Sequence, residues 1–442
     1  MKVDNKKILV LGLGRSGISS IKALSSLNAS VYCYDDKKRE DLLDSFEKLK
    51  NFKYNFIKNY KEYDFDFVVK SPGIKPTNDV IKYFYEKKIP VYTDLELAYT
   101  LFPEKKIIAI TGTNGKTTTT SLVGEIFDKA NIKHKVLGNI GIGMLFEIYN
   151  SDVDSVNILE VSSFELHDTD KFKPTIASIG NITADHLDWH GSFENYVKDK
   201  FKIFKNMDEN STLVLNIDDE ILKTIDSDKF KIIKISLENE EADFYFNNDL
   251  FYHKGKKLFS MKDLKILGKH NAQNVLIAMA ICYNYGISLD TIKKACENFK
   301  GVEHRIEFVR ELNKIKFYND SKGTNVDSTI KAIEAVDKPI ILILGGYDKH
   351  VDLNPLFKSF NGKVKACILV GDTKYKFEQV AKENGFLNNF IVDNYIDVIK
   401  KALEIAKAND NVLLSPASAS WDMFKSYEQR GDLFKKLVNE LR

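Results

Sequence analysis

The sequence predicts an α/β protein built from three consecutive domains with mostly parallel sheets. Short β-rich runs alternate with amphipathic stretches along the chain, which is typical of βαβ units. This alternation restarts near residues 102 and 301. A length of 442 residues suggests two to four domains, since a domain commonly holds roughly 100 to 200 residues. We therefore predict domains at 1–101, 102–301 and 302–442.

The composition excludes several classes of protein. With 65 Lys and Arg against 63 Asp and Glu, the net charge of +2 argues against a dedicated nucleic-acid binder. The four cysteines are scattered, so neither a disulfide framework nor a zinc knot is indicated. No apolar run approaches the roughly 18 residues that span a bilayer, and the N-terminus does not match a signal peptide. We expect a cytoplasmic protein without membrane insertion.

The first domain begins with the strand-like run KKILVLGL, which leads into Gly12-Leu-Gly14-Arg-Ser-Gly17 and a helical stretch. Glycines at such a turn allow a phosphate to approach the helix N-terminus. Asp35 and Asp36 end the next predicted strand, where an acid can bind a ribose hydroxyl. The pattern fits a Rossmann-like nucleotide fold, and it equally fits a glycine-rich turn without a ligand. A second loop, Ser71-Pro72-Gly73, follows another strand end.

The central domain carries a variant P-loop between the strand KIIAIT and a helical run. A Gly-Lys-Thr at this position supplies backbone amides and a lysine for phosphates, and a hydroxyl for Mg²⁺. Ile110 replaces the usual first glycine. The motif predicts an ATP site; the alternative is a capped helix start that binds nothing. The predicted ATP residues here are Gly112, Thr113, Asn114, Gly115, Lys116, Thr117 and Thr118.

Two further segments of the central domain carry groups suited to Mg-ATP. Glu160 ends the strand VNILEV, where its carboxylate is placed to hold a metal. Asp185, His186, Asp188 and His190 follow the next strand-like run, either as a metal cluster or as a polar loop with helix-capping Asp. Lys200 lies in a predicted amphipathic helix, where a lysine is ordinarily exposed.

The later parts of the chain continue the alternation. The run ADFYFNNDLFYHKGKKLFS predicts a β-hairpin, and NAQNVLIAMAICYNYG predicts a helix. The third domain alternates again, with KIKFYND, PIILILGG, VKACILVG and NVLLSP as strands and TNVDSTIKAIEAV and ALEIAKA as helices.

The motifs, taken in order, resemble the Mur ligases of peptidoglycan precursor synthesis. They are TGTNGKTT, LEVSSFEL, NITADHLDWHGSFENYVKDK, LGKHNAQNVLIA, GVEHRIEFV, YNDSKGTN, LGGYDK and LLSPASASWDMFKSYEQRG. The resemblance covers nearly the whole chain. NDSKGTN stands where diaminopimelate- or lysine-adding members would show DYAHTP, and SPASASWDMF is similar to the stretch that closes over D-glutamate, so the D-glutamate-adding type is the nearest match.

The resemblance implies a Rossmann-like first domain, a P-loop ATPase-like central domain and a Rossmann-like third domain. It implies that ATP phosphorylates the terminal carboxylate of UDP-N-acetylmuramoyl-L-alanine and that the D-glutamate amine attacks the acyl phosphate. It also implies two Mg²⁺ ions and a Lys200 carbamylated by CO2. We expect a monomer whose third domain closes about a hinge near residues 301–305, so that scattering should show compaction with ATP analogue and substrate.

The resemblance also assigns site residues. Those implied for the catalytic and metal sites are Lys116, Thr117, Glu160, His186 and Lys200. Those implied for ATP beyond the P-loop are Asn271, Asn274, Arg305 and Asp320. Those implied for the UDP-linked substrate are Gly14, Arg15, Ser16, Asp35, Asp36, Lys37, Ser71, Pro72, Gly73, Asn139 and His186. Those implied for D-glutamate are Lys322, Thr324, Lys349, Ser415 and Phe424.

Three other functions remain open from the residues alone. One is another amide-forming ligase, such as a folylpolyglutamate synthase, which an amino-acid-dependent phosphate-release assay would distinguish. Another is a dinucleotide-dependent oxidoreductase that uses Gly12–Gly17, which NAD(P)H titration would detect. The last is a nucleotide sensor without turnover, against which the retained Lys116, Glu160, His186 and Lys200 argue.

Overall fold

The computed structural model describes residues 1–266, 268–349 and 351–441, with residues 269 and 270 described by their backbone alone. This part of the chain forms two compact units. The first comprises 1–263 with 272–298, and the second comprises 264–266 and 268–271 with the residues from 299 onward. The first unit contains two sheets and the second contains one. The predicted α/β class with mostly parallel sheets is confirmed, whereas the boundaries at 101/102 and 301/302 stay predictions.

The first sheet has five parallel strands in the order β3-β2-β1-β4-β5. Its strands are β1 (Lys7–Leu11), β2 (Ser30–Tyr34), β3 (Asn55–Phe56), β4 (Phe67–Lys70) and β5 (Val91–Tyr92). The helices of this region are α1 (Arg15–Ser26), α2 (Leu43–Leu49), α3 (Asp79–Glu86) and α4 (Asp94–Leu101).

The glycines after β1 let α1 pack directly onto the turn. Gly12 has a φ of +87°, which L side chains rarely adopt. A Cβ on Gly17 would lie 1.8 Å from the Gly12 carbonyl oxygen. Gly14, by contrast, has no atom within 4 Å of its would-be Cβ. Gly12 and Gly17 therefore allow α1 to approach the turn closely, whereas Gly14 borders open space.

The second sheet has nine strands in the order β14-β13-β12-β11-β10-β9-β6-β8-β7. Its strands are β6 (Lys106–Thr111), β7 (His134–Gly138), β8 (Val156–Glu160), β9 (Ile176–Ile179), β10 (Thr212–Asn216), β11 (Lys231–Ser236), β12 (Phe244–Asn247), β13 (Leu250–His253) and β14 (Lys256–Ser260). Its helices are α5 (Lys116–Lys129), α6 (Met144–Tyr149), α7 (Ser163–His167), α8 (Leu187–His190), α9 (Phe193–Phe201), α10 (Lys269–Tyr285) and α11 (Leu289–Asn298). The predicted hairpin is part of an antiparallel meander of β12, β13 and β14.

The strand order of the second sheet places three loops side by side. β6 lies between β8 and β9 and is parallel to both. The carboxyl ends of parallel strands meet at one edge of a sheet, which is where open α/β sheets bind ligands. The P-loop after β6 therefore has Glu160, the last residue of β8, on one side and the segment after β9 on the other.

The third sheet lies in the second unit and has six strands in the order β15-β16-β20-β17-β18-β19, with β15 antiparallel to β16. Its strands are β15 (Glu307–Leu312), β16 (Ile315–Asn319), β17 (Ile340–Leu344), β18 (Val364–Leu369), β19 (Asn389–Ile391) and β20 (Asn411–Leu414). Its helices are α12 (Val326–Ala335), α13 (Asn354–Lys358), α14 (Lys374–Glu383), α15 (Tyr395–Ile405) and α16 (Tyr427–Asn439). No helix in the described ranges combines the length and apolarity that crossing a membrane requires.

Candidate functional site

The predicted P-loop is a strand-to-helix turn held by glycines. Gly112 has a φ of +154°, and Gly115 has a φ of +83° where α5 begins. A Cβ on Gly115 would lie 2.2 Å from Asn274 Oδ1, so only glycine allows the amide of Asn274 to pack there. The structure thus brings Asn274 of α10, predicted to bind ATP, against the loop. Asn271 lies in the first turn of that helix.

Asn181, which the sequence analysis did not select, fastens the P-loop from the β9 side. Its Oδ1 accepts from the Asn114 amide at 2.8 Å, its Nδ2 donates to the Asn114 carbonyl at 3.1 Å, and its own carbonyl accepts from the Thr113 amide at 2.9 Å. The Thr113 hydroxyl donates to the Thr183 carbonyl at 3.1 Å and accepts from the Thr183 amide at 3.0 Å. These bonds fix the course of the loop between β6 and α5.

Two lysine amines contact one carbonyl oxygen of the P-loop. Lys116 Nζ donates to Gly112 O at 2.9 Å, and Lys200 Nζ donates to the same oxygen at 3.0 Å. Lys200 is 1% exposed, contrary to the usual exposure of a helical lysine. Burial lowers its pKa well below the ordinary value, and repulsion from Lys116 lowers it further. Both effects favour the uncharged form of this amine.

Glu160 presents a buried carboxylate oxygen toward the same edge of the sheet. Its Oε1 accepts from Asn139 Nδ2 at 3.1 Å. Its Oε2 is buried and receives no hydrogen bond from the described residues. A buried anionic oxygen without a donor is costly, and a divalent cation is the partner that would satisfy it. Thr117 and Thr118 are both buried and lie in the first turn of α5, which follows the neighbouring strand β6.

The segment 185–190 does not form a metal cluster of its own. Asp185 Oδ1 accepts from the His186 amide at 2.9 Å, and Asp188 is exposed. His186 has a φ of +51°, and its ring lies 4.8 Å from that of Phe164. The described residues contain two groups of three possible metal ligands, and neither includes Asp185, His186 or Asp188. The alternative of a polar loop describes this segment better.

His190 belongs to a buried hydrogen-bonded network that the sequence did not indicate. Its Nδ1 lies 2.8 Å from Asp199 Oδ2, and its Nε2 lies 3.0 Å from the Ser163 hydroxyl. His167 Nδ1 lies 2.8 Å from the same Asp199 oxygen. Asp199 precedes Lys200 on α9, so this network anchors the helix turn that carries Lys200.

A cavity of about 340 Å³ opens beside the glycine turn of the first sheet. Its lining includes most of the residues predicted for the UDP-linked substrate, namely Gly14, Arg15, Ser16, Ser71, Pro72, Gly73 and Asn139. Phe164, Glu165 and Asp94 complete one side of it. Gly73, like Gly14, has no atom within 4 Å of its would-be Cβ. The structure thus brings these predicted residues together around open space.

A second cavity of about 260 Å³ is lined by Asp35, Asp36 and Lys37 together with Tyr34 and Asn78. Asp35 accepts from the Leu13 amide at 2.7 Å and from the Lys37 amide at 2.9 Å, so it fastens the glycine turn. Asp36 accepts from the Tyr34 hydroxyl at 2.8 Å, and this bond raises the pKa of Tyr34 to about 12. The two acids therefore also have structural partners.

Two buried carboxyl groups, Asp94 and Glu165, line the larger cavity. Burial raises the pKa of both, and the negative charge of Asp94 raises that of Glu165 further. Glu165 Oε2 accepts from the Ser162 amide at 2.6 Å and its hydroxyl at 2.8 Å. Neither Asp94 oxygen receives a well-formed hydrogen bond from the described residues, although the Ser16 hydroxyl offsets part of its rise.

Glu165→Gln is expected to flatten the pH dependence of stability. Because the pKa of Glu165 is raised by folding, the folded chain keeps a proton that the unfolded chain releases above about pH 4.3. The contribution of Glu165 to stability is therefore fully present below that pH and is lost as the pH rises through the pKa of Glu165 in the folded chain. Thermal unfolding at pH 5, 6.5 and 8 should show a smaller decline for Glu165→Gln than for wild type or exposed Glu125→Gln. An equal decline in the unfolding temperatures of Glu165→Gln and wild type from pH 5 to pH 8 would contradict this expectation.

In the second unit, residues predicted for D-glutamate lie on loops after adjacent strands. Lys322 and Thr324 follow β16, Lys349 follows β17, and Ser415 follows β20, and these three strands are neighbours. Lys349 Nζ donates to the Thr324 carbonyl at 3.3 Å. Gly323 accepts from the Ala417 amide at 2.9 Å, which joins two of the loops.

Asp320, a residue predicted to contact ATP, is buried and links the loops of this cluster. Its Oδ2 accepts from the Ser415 hydroxyl at 2.6 Å, and its Oδ1 accepts from the Ile306 amide at 3.2 Å. Burial raises its pKa to about 7, although Ser415 and the charge of Arg305 offset part of the rise. Phe424 packs on the apolar core, with its ring 5.2 Å from that of Tyr395. The roles assigned to these residues stay predictions.

Three family models match consecutive parts of the chain. They are a MurD-like Mur ligase N-terminal domain over 6–93, a Mur ligase middle domain over 110–282 and a Mur ligase glutamate ligase domain over 304–418. Relatives named UDP-N-acetylmuramoylalanine--D-glutamate ligase match end to end. One from Thermoanaerobacter sp. is 44% identical and one from Clostridioides difficile is 42% identical, each with 100% of both chains covered.

Solved structures support the fold. UDP-N-acetylmuramate-alanine ligase MurC of Thermotoga maritima aligns with a TM-score of 0.64 at 19% identity, covering 98% of this chain and 99% of that one. A pseudomurein peptide ligase type C of Methanothermus fervidus aligns with a TM-score of 0.60 at 19% identity, covering 99% and 100%. With the end-to-end relatives and the three matched domain models, these findings show that the chain belongs to the Mur ligase family.

Proposed function

We propose that this chain is the ATP-dependent ligase that joins D-glutamate to UDP-N-acetylmuramoyl-L-alanine in peptidoglycan synthesis, releasing ADP and phosphate. The observation that carries the proposal is the 44% identity, over the full length of both chains, to relatives named for that reaction. The P-loop and the 340 Å³ cavity support the proposal, since this reaction requires a site for ATP and another for a nucleotide-linked substrate.

The reaction needs an activated carboxylate, since joining a carboxylate to an amine in water is unfavourable. The L-alanyl carboxylate attacks the γ-phosphorus of ATP, and ADP leaves. The D-glutamate amine then attacks the acyl phosphate, phosphate leaves and the amine loses a proton. Because the first step brings two anions together, the site must neutralise charge. We infer that Lys116 does so by moving from the Gly112 and Thr113 carbonyls, which it contacts here, to the phosphates.

Mg²⁺ fits the residues present. The unsatisfied Glu160 Oε2 and the Thr117 hydroxyl would hold it, with His186 and Lys200 as predicted ligands of a second ion. When bound, the metal would supply positive charge that offsets the negative charge of the phosphates. Glu160 is held ready for this by its bond to Asn139, and Asn139 in turn lines the nucleotide-sugar cavity.

We further propose that Lys200 carries a carbamate. Only the uncharged amine attacks CO2, and the buried setting of Lys200 favours that form. As the N–C bond forms, the nitrogen loses a proton to solvent and the product is an anion. This anion would be attracted to Lys116 and to Mg²⁺, whereas two ammonium groups at Gly112 would repel each other. We propose that two Mg²⁺ ions act with this carbamate, and that the enzyme works in the cytoplasm as a monomer.

The D-glutamate site is proposed for the loop cluster of the second unit. The two ammonium groups of Lys322 and Lys349 and the hydroxyl of Thr324 suit a dicarboxylate, and Ser415 belongs to the same loop cluster with its hydroxyl bonded to Asp320. Asp320 and the Ser415 hydroxyl fix the shape of these loops.

Phosphate release in a three-substrate assay tests the proposed function. We expect release only when ATP, UDP-N-acetylmuramoyl-L-alanine and D-glutamate are all present. Equal release with L-alanine or L-lysine would point to another amide-forming ligase. Hydride transfer with tightly bound NAD(P)H would point to an oxidoreductase.

A further inference from the structure

Three residues of segment 70–75 of the first sheet, namely Lys70, Gly73 and Lys75, contact the loops of the second. Trp189 Nε1 donates to the Gly73 carbonyl at 3.2 Å. Lys70 Nζ lies 2.8 Å from Asp168 Oδ2. Lys75 Nζ lies 3.1 Å from Asp188 Oδ2 and also donates to the Asp188 carbonyl at 2.9 Å. All of these residues belong to the same compact unit, so the contacts are internal to one body.

These contacts differ in their burial and in the groups that surround them. The Lys75–Asp188 pair is exposed, and a screened pair of this kind contributes little. The Lys70–Asp168 pair is buried, and Lys70 also donates to the Ile74 carbonyl at 2.9 Å, so it fixes the end of β4. Among these side chains, Trp189 packs on the ring of Phe164, which lies beside His186, and the Lys70 amine lies 5.5 Å from the centre of a Trp189 ring.

Trp189 connects the 340 Å³ cavity to the turn that carries His186, through its N–H group and through its ring. Its N–H binds Gly73, which lines the 340 Å³ cavity. Its ring lies 4.9 Å from the ring of Phe164, which lines the same cavity. Phe164 in turn lies 4.8 Å from the His186 ring, and Trp189 follows His186 by three residues on the same short turn. A displacement of the Gly73 loop therefore reaches His186 by a path of direct contacts.

We propose that Trp189 is a positioning residue that couples occupancy of the nucleotide-sugar cavity to the orientation of His186 at the metal–phosphate site. The inference rests on the proposed function, because it takes the cavity as the site of the UDP-linked substrate. A ligand that orders Gly73 would thereby favour one arrangement of the His186 turn. Coupling of this kind must act in both directions for binding.

The test is Trp189→Phe, which keeps an aromatic ring and removes the N–H donor. Calorimetry measures binding of Mg-ADP with and without saturating UDP-N-acetylmuramoyl-L-alanine. For wild type we expect the nucleotide sugar to tighten Mg-ADP binding by roughly five- to tenfold, within the usual range of coupling energies. For Trp189→Phe we expect this ratio to fall close to one.

A merely structural role would weaken binding of one or both ligands and leave the ratio as it is in wild type. An unchanged ratio in Trp189→Phe would therefore overturn the proposal, as would a wild-type ratio of one. Lys82→Ala, which removes an exposed ion pair with Asp79 outside this path, is the matched control and should keep the wild-type ratio. Failure of the nucleotide sugar to bind wild type at all would instead count against the proposed function.

Intrinsic fluorescence gives an independent reading, because the chain has 2 tryptophans. Trp421 is 64% exposed and lies in the second unit, so Trp421→Phe leaves Trp189 as the only indole. In that background we expect UDP-N-acetylmuramoyl-L-alanine to shift or quench the emission with the affinity found by calorimetry. Binding by calorimetry without any change in emission would contradict the proposal.

Discussion

Lys200→Ala is expected to lose ligase activity by at least about a hundredfold in kcat/KM, a size found when one charge-stabilising group is removed. The buried amine contacts the P-loop at the Gly112 carbonyl, where the proposed carbamate would supply an anionic metal ligand. Short carboxylic acids such as formate or acetate should restore part of the activity by occupying the vacated anionic position. Phosphate release, measured with and without the acid, checks both statements.

The controls separate the carbamate from the packing of α9. Lys198→Ala, on the same helix but exposed, should keep wild-type activity. Lys200→Met keeps most of the buried volume without an amine, and it should be as inactive as Lys200→Ala while unfolding at a temperature near that of wild type. Full activity of either unrescued Lys200 variant would remove this residue from the mechanism.

Glu160→Gln is expected to change activity and stability in opposite directions. Activity should fall by at least about a hundredfold, because the carboxylate proposed to hold Mg²⁺ becomes neutral. In metal-free buffer the variant should be more stable, since an ionised, buried oxygen without a donor costs about 1–3 kcal/mol or more. Phosphate release and thermal unfolding in chelator measure the two effects.

Titration with Mg²⁺ links the two effects to the metal. A ligand that binds only the folded state raises its stability, so Mg²⁺ with ADP should raise the unfolding temperature of wild type more than that of Glu160→Gln. Glu125→Gln, an exposed change on α5, should behave like wild type in each measurement. Equal stabilisation of wild type and Glu160→Gln by Mg-ADP would exclude Glu160 as a metal ligand.

The elements that position the site were predictable because their signals are local. The P-loop follows a buried run and carries glycines where the backbone takes φ values of +154° and +83°. Glu160 could be placed beside it because it ends the neighbouring strand. Asn181 could have been selected by the same rule, since it follows β9 on the other side of β6.

Contacts between distant segments could not be predicted in the same way. Asp94 and Glu165 are far apart in sequence, and their interaction depends on how α4 packs against α7. The pairing of His190 with Asp199 depends on the direction of α9 relative to α8, which helical spacing does not give. The burial of Lys200 is of the same kind, because Lys198 on the same helix is exposed.

The bonds of Asn181 to Thr113 and Asn114 have a consequence for nucleotide affinity. A loop that must become ordered around its ligand loses conformational entropy at the moment of binding, and this loss weakens affinity. Here the β9 segment orders the loop when the sheet forms, so the entropy is lost during folding. The phosphate cradle is therefore preorganised, and more of the interaction with ATP is left to favour the transition state.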